Sequence, residues 1–211
     1  MSKPVVIASA LRTPFTRARK GELKDTLPDD MGGWAIKAAL AAVPQLDPAD
    51  VEDVVLGCAM PEAEQGNNVA KICAAVAQLP VSVPAMTINR FCSSGVQSIG
   101  LVAQAIQAGS IDCAVAGGTE SMTMIPMGGN KFATNPRLLA TYPEIYTTMG
   151  ATAELVAARF GVTRQEQDEF AYNSQRKAGE AQAAGRLDDE IFEITTSYFN
   201  DEGERVPDRK S

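Results

Sequence analysis

Residues 84–109 read PAMTINRFCSSGVQSIGLVAQAIQAG, and the order of polar and apolar positions in this stretch decides the fold. Ala85–Asn89 has the length and composition of a short buried strand. Phe91–Cys92 marks a sharp turn, and about Ser93 to Ala108 carries helical periodicity. No charged residue occurs from Phe91 to Ile111, yet Ser93, Ser94, Gln97, Ser98, Gln104 and Gln107 make the run too polar for a membrane span. A helix without a charged face is expected to be buried on nearly all sides. Its small residues (Ser94, Gly95, Ser98, Gly100, Ala103) allow neighbouring backbone to come close.

Cys92 falls at the N-terminus of this helix. A thiol there meets the positive end of the macrodipole and unsatisfied amide donors, which favour the thiolate, the nucleophilic form. The same amides can donate to an oxyanion that develops on an attached acyl group. Position alone leaves a second reading open, a buried structural cysteine.

Outward from this stretch the chain alternates. Val5–Ala10 is a continuous apolar run, expected as a strand buried on both faces. Pro28-Asp29-Asp30 opens a helix to about Val43, Val51–Ala59 is a strand, and Val69–Gln78 is a helix stopped by Pro80. After the central strand and helix, Ile111–Gly117 is another apolar strand. Such alternation predicts an α/β fold with a mostly parallel sheet and helices on both faces, with ligands at the carboxyl ends of the strands. Ser121–Met149, with four Met and three Pro, reads as an irregular excursion. Ala151–Phe160 is a helix ended by Gly161. Thr163-x-x-Glu166 is a capping box for a helix that runs to Ala184 and closes at Gly185. Ile191–Thr196 is a further strand, and Asp201 to Arg205 is a polar segment.

Ile88-Asn89-x-x-Cys92-Ser93-Ser94-Gly95-Val96-x-Ser98-Ile99, followed by Ile106, resembles the acyl-enzyme signature of the thiolase family. Arg12-Thr13-Pro14, Gln65-Gly66-Asn67-x-x-Ala70, Gly117-Gly118-x-Glu120-Ser121-Met122 and Met149-Gly150-x-Thr152-Ala153-Glu154 resemble further thiolase landmarks in thiolase order, so the likeness covers the whole chain. Ketoacyl synthases and 3-hydroxy-3-methylglutaryl-CoA synthases share the cysteine-at-helix arrangement but differ in these local motifs. By resemblance, residues 1–120 form the thiolase N-terminal domain core. Residues 121–211 then form a truncated insertion (loop) domain, with the C-terminal thiolase domain absent.

The composition fits. The 211 residues carry a net charge of −7, which argues against a nucleic-acid partner. No run is long enough to span a membrane, and no charged-then-apolar leader opens the chain. Cys58, Cys73, Cys92 and Cys113 are widely spaced, without a CxxC pair, as expected of reduced thiols in a cytoplasmic protein and not of a disulfide framework or a metal site.

The resemblance implies an acyltransferase that cleaves 3-ketoacyl-CoA with coenzyme A, or runs the reverse condensation, through an acyl thioester on Cys92. Coenzyme A is then a substrate and not a bound cofactor, and the full-length protein is a homo-oligomer. The backbone N–H of Cys92 would supply half of an oxyanion hole, and Met149 would lie beside the acyl pocket. Asn-Arg-Phe-Cys-Ser-Ser-Gly, the Met-Gly-Gly-Asn segment and Thr148 lean towards the degradative, β-oxidation members. Lys71 stands where the family usually has Arg, a replacement conservative in charge only.

The family's remaining machinery (an Asn that orients a water, a Gly-His-Pro histidine and a Cys-x-Gly-Gly-Gly cysteine) has no counterpart here, and the sequence has no histidine at all. General acid–base catalysis contributes roughly 100- to 10,000-fold each time it is used. The expectation is therefore a chain incompetent by itself, poorly soluble or dimeric through an uncovered apolar face. The alternative is a non-catalytic thiolase-like fragment that acts only in binding or dimerisation.

Overall fold

The computed structural model describes residues 3–200 and 202–210. Contacts divide the chain into two compact units, residues 1–130 together with 189–211, and residues 131–188. The first unit is built on a three-stranded parallel sheet, β1 (Asp53–Gly57), β2 (Ala85–Ile88) and β3 (Ala114–Gly118), in the order β2-β1-β3. Val54 pairs with Ala85 on one side and with Val115 on the other, so β1 is the central strand.

Alternation along β1 sends its side chains to two separate cores. Val54 and Leu56 pack with Ile36, Val69, Ala70, Cys73 and Ala74, which come from α1 (Pro28–Ala41) and α2 (Val69–Val76). Val55 packs with Val102 and Ile106 of α3 (Ser94–Gln107). Helices thus cover both faces of the sheet, as the alternating sequence predicts. Each fully buried Val or Leu contributes roughly 1.5–3 kcal/mol relative to an exposed one. Two glycines let α1 and α2 approach: a Cβ at Gly32 would lie 2.5 Å from Cys73 Sγ, and one at Gly33 would lie 2.4 Å from Val76 Cγ1.

Three expectations need correction. Val5–Ala10 forms no strand. Val5 packs beside the α3 core, but Val6 and Ile7 are exposed, and pairing near this segment is a single bridge from Arg12 to Ile191. An apolar run encodes a tendency to be buried, whereas a strand also needs a hydrogen-bonding neighbour in register.

Second, α3 is not buried all round. Ser94, Ser98, Val102 and Ile106, one stripe at four-residue spacing, are buried, while Val96 and Ile99 are exposed. An uncharged surface permits burial on every side, but the first unit covers only the side that faces the sheet. Third, the expected strand Ile191–Thr196 lies at Ile194–Phe199 (β4) and pairs antiparallel with Arg205–Lys210 (β5). Of the polar segment Asp201 to Arg205, Asp201 lies outside the described residues, 202–204 lie in the turn of that hairpin with Gly203 at φ 79°, and Arg205 begins β5.

The second unit is helical among its described residues: α4 (Pro136–Thr141), α5 (Met149–Phe160) and α6 (Arg164–Ala183). The excursion read as irregular therefore contains a 3₁₀ turn, Pro143–Tyr146, and one short α-helix, α4. Its N-cap is Asn135, whose side chain accepts from the N–H groups of Arg137 and Leu138. Gly161, at φ 68°, ends α5. The Thr163–Glu166 capping box opens α6, with each side chain bonded to the other residue's backbone N–H.

Candidate functional site

All three parallel strands end at the same edge, and their exits are tied together. After β2, Asn89 and Arg90 lead into a single 3₁₀ turn, Phe91–Ser93, and α3 begins at Ser94. Cys92 sits in the middle of that turn and is exposed. Phe91, just before it, has φ 48°, a left-handed torsion that L residues adopt at a cost of roughly 1–2 kcal/mol.

Local hydrogen bonds hold this torsion. The Phe91 N–H donates to Asn89 Oδ1 at 2.8 Å. Ser94 Oγ accepts from the Arg90 N–H at 2.8 Å and donates to the Phe91 carbonyl at 2.7 Å. Ser93 Oγ donates to the Arg90 carbonyl at 2.9 Å. The start of α3 lies hard against the end of β1, because a Cβ on Gly57 would stand 2.5 Å from Ser94 Cβ. Ser98, fully buried one turn on, donates to the Gly117 carbonyl of β3 at 2.9 Å.

A second group of bonds fixes the loops after β1 and β3. Glu120 accepts from the Ala59 N–H at 2.6 Å and from Gln65 Nε2 at 2.6 Å. Gln65 is fully buried, donates to the Met60 carbonyl and accepts from the Ser121 N–H. Asn89 Nδ2 closes the arrangement by donating to the Ala59 carbonyl at 2.9 Å. The Ala59 residue is thereby gripped at both its N–H and its C=O.

The cysteines separate clearly. Burial pushes the Cys58 thiol up to about 11, with the nearby Glu120 carboxylate adding to the effect. Burial likewise pushes Cys73 to about 12, with Asp29 as the next cause. Cys113 is raised too, by burial and then by Glu52 and Asp50. Cys92 is the exposed cysteine of the four.

The family model described as "Thiolase, N-terminal domain" matches residues 5–209. The chain belongs to the thiolase family. It is 44% identical over 202 residues to a 3-ketoacyl-CoA thiolase of Bacillus subtilis, an alignment that covers 95% of this chain and 51% of that protein. It is 41% identical to the peroxisomal 3-ketoacyl-CoA thiolase 5 of Arabidopsis thaliana, over 94% of this chain and 44% of that one. A β-ketoadipyl-CoA thiolase of Acinetobacter baylyi is 40% identical over 92% of this chain and 52% of its own length. The chain thus spans about half the length of the curated relatives it matches.

Several thiolase landmarks of the sequence meet in the first unit. The Gln65 and Glu120-Ser121 landmarks form one hydrogen-bonded group, and Asn89 links that group to the turn of Cys92. Arg12 pairs with Glu190 at 3.1 Å, beside the Arg12–Ile191 bridge. Lys71, in place of the usual Arg, donates to the carbonyls of Val81 and Val83 and so ties down the loop before β2. Met149 belongs to the second unit, where it is the first residue of α5 and is exposed. In the sequence Gln65 and Glu120 have no role beyond a motif, and the fit of Gly57 against Ser94 leaves no mark there. That fit joins a strand end to a helix start some 37 positions apart, and no local pattern reports it. Among the described residues no helix is long and apolar enough to cross a membrane, and no group of His, Cys, Asp and Glu could hold a metal ion.

Proposed function

We propose that this protein is a thiolase-type acyltransferase that cleaves 3-ketoacyl-CoA with coenzyme A through an acyl thioester on Cys92. The observation that carries the reading is the presentation of Cys92. It is the exposed cysteine, set in a tied-down turn between the carboxyl end of a parallel strand and the start of a helix whose buried stripe faces the sheet. In the reaction, the Cys92 thiolate attacks the 3-keto carbon. The C2–C3 bond breaks, its electron pair leaves on C2 of acetyl-CoA, which takes up a proton, and the shortened acyl group stays on Cys92. Coenzyme A thiolate then attacks the Cys92 thioester and carries the acyl group away. The backbone N–H of Cys92 is assigned half of the oxyanion hole for each addition, since those of Phe91 and Ser93 already donate to Asn89 and to the Arg90 carbonyl. Coenzyme A acts as a substrate, and Met149 is assigned to the acyl-binding surface.

The 211 residues include no histidine, so proton transfer to and from Cys92 falls to groups of another kind or outside this sequence. On that ground this polypeptide by itself is assigned no measurable turnover. The full-length protein is further assigned a homo-oligomeric, cytoplasmic role in fatty-acid degradation: the name 3-ketoacyl-CoA thiolase, carried by relatives, supports the substrate class, and four free cysteines fit a reducing compartment.

The test is intact-mass analysis of the full-length protein after incubation with acetyl-CoA, followed by addition of coenzyme A. One acyl mass on wild type, removed by coenzyme A and absent in Cys92→Ala, is the expected result. An acyl adduct retained in Cys92→Ala would reject the assignment, as would 3-ketoacyl-CoA cleavage that survives the substitution. Measurable 3-ketoacyl-CoA cleavage by the 211-residue polypeptide would reject the claim that it has no turnover alone.

A further inference from the structure

We infer that Asn89 is a positioning residue for Cys92, its side-chain amide holding Phe91 in the left-handed torsion that presents the thiol. The inference rests on reading Cys92 as the nucleophile, and it goes further by naming what sets the geometry of that residue.

Phe91 has φ 48° and is 63% exposed, so side-chain burial does little to hold the strained backbone. Polar bonds have to hold it. Ser94 bonds the Phe91 carbonyl, and Asn89 Oδ1 bonds the Phe91 N–H at 2.8 Å. An acceptor two residues upstream is useful only if it is itself fixed. Asn89 Nδ2 is anchored to the Ala59 carbonyl at 2.9 Å, on the exit of the central strand. Ala59 is anchored in turn, because its N–H donates to Glu120 at 2.6 Å and Glu120 is bonded to the buried Gln65. The line from the buried Gln65 to Phe91 is therefore continuous, with Cys92 one peptide bond beyond it.

The chemistry of the left-handed region supplies the test. The penalty on an L residue there disfavours the torsion by roughly tenfold, and glycine escapes it. If Asn89 acts by holding this torsion, its removal should matter with Phe at position 91 and matter far less with glycine there. The cycle consists of wild type, Asn89→Ala, Phe91→Gly and the double variant of the full-length protein. The readout is the second-order rate of Cys92 alkylation by iodoacetamide at fixed pH, with the melting temperature measured in parallel. Asn89→Ala is expected to slow alkylation roughly tenfold in the wild-type background and by less than about threefold in the Phe91→Gly background. Equal slowing in both backgrounds overturns the inference, and so does an Asn89→Ala rate within about twofold of wild type. Where Asn89→Ala does not fold, Asn89→Ser is compared in the same two backgrounds against the same limits.

Acylation of Cys92 by acetyl-CoA is followed in the same four proteins. Alkylation reads only how the thiol is presented. A protein that shows the coupling but forms no acyl adduct therefore refutes the proposed function and leaves the positioning role standing. An acyl adduct without the coupling does the reverse.

Discussion

Replacing Gly57 by Ala tests the contact on which the placement of Cys92 depends. Gly57 is not among the residues with positive φ, so alanine suits its backbone and any effect arises from space alone. The added Cβ would lie 2.5 Å from Ser94 Cβ, 2.8 Å from the Ser94 carbonyl carbon and 3.1 Å from its oxygen. Carbon atoms in comfortable contact sit about 3.5–4.0 Å apart, so the start of α3 must retreat from β1 by roughly 1 Å. Two of the three atoms are backbone, and no rotamer change relieves the clash. Overpacking of this kind costs about 1–3 kcal/mol. At about 2–4 °C per kcal/mol for a chain of this size, the melting temperature should fall by roughly 2–12 °C. Misplacement of reacting groups by about 1 Å can lower a rate about a hundredfold, so Cys92 acylation should fall by more than stability alone explains. Gly100→Ala is the matched control within α3. A Cβ there meets nothing within 4 Å, and removing a mid-helix glycine should stabilise by roughly 0.5–1 kcal/mol. Calorimetry and an acylation time course on both variants decide the matter. A Gly57→Ala protein that melts and acylates like wild type would refute the close-contact argument.

The cysteines, the polar group and the helix cap each have further consequences. At pH 8, Cys58 at about 11 and Cys73 at about 12 are thiolate in only about 1 in 1,000 and about 1 in 10,000 molecules. Brief alkylation should therefore mark Cys92 before either, and peptide mapping that finds Cys58 or Cys73 first would contradict this. The native state keeps protons on these two thiols that the unfolded chain releases from about pH 9, so stability should fall as pH rises from about 9 towards 11–12 and be unaffected by them below. A flat alkaline limb in urea titrations, with Cys58→Ala and Cys73→Ala no different from wild type, would count against it. Gln65→Leu strips partners from Glu120, the Ser121 N–H and the Met60 carbonyl at a fully buried position, and about 1–3 kcal/mol should be lost for each group left unsatisfied. Denaturant midpoints read that loss. Thr163→Ala removes the N-cap of α6 and should cost about 0.5–2 kcal/mol of helix stability, seen by circular dichroism or exchange within residues 164–183. Its partner Glu166 is held below its ordinary range by hydrogen bonds from the Thr163 backbone and hydroxyl. The cap's contribution is therefore present above that range and lost as pH falls through the lowered value.

Where the sequence could be read, it was read through local rules. The capping box at Thr163 and Glu166 and the glycine stop at Gly161 depend on residues within one turn of each other, and the structure has both. The parallel sheet could be inferred because each crossover contains a helix of its own. Val5–Ala10 shows the limit: its apolar run resembles that of β1, but β1 has neighbours on both edges and Val5–Ala10 pairs with none. The hairpin partner Arg205–Lys210 was missed for a related reason. Its sequence RVPDRK is charged and carries a proline, which suits an edge strand, and periodicity does not flag such a segment.

The site divides along the same line. The position of Cys92 between a strand and a helix was legible because the cysteine, two serines and a glycine are contiguous in sequence. What holds Cys92 in place was not, because the hydrogen-bonded series Gln65, Glu120, Ala59, Asn89, Phe91 runs back and forth across three strand exits. Each member is ordinary alone: a buried glutamine, an acid after Gly-Gly-Thr, an asparagine before a turn. Their significance lies in one shared consequence, a left-handed Phe91 followed by an exposed thiol. This arrangement also explains why the buried and the exposed cysteines differ. Cys58 lies beside the same Glu120 carboxylate that anchors the series, where burial and negative charge both oppose its ionisation. Cys92 is carried out past the strand end to the solvent-facing turn. One polar group thus stabilises the exits of all three strands, suppresses one thiol and presents another, and Gln65→Leu should disturb all three effects together.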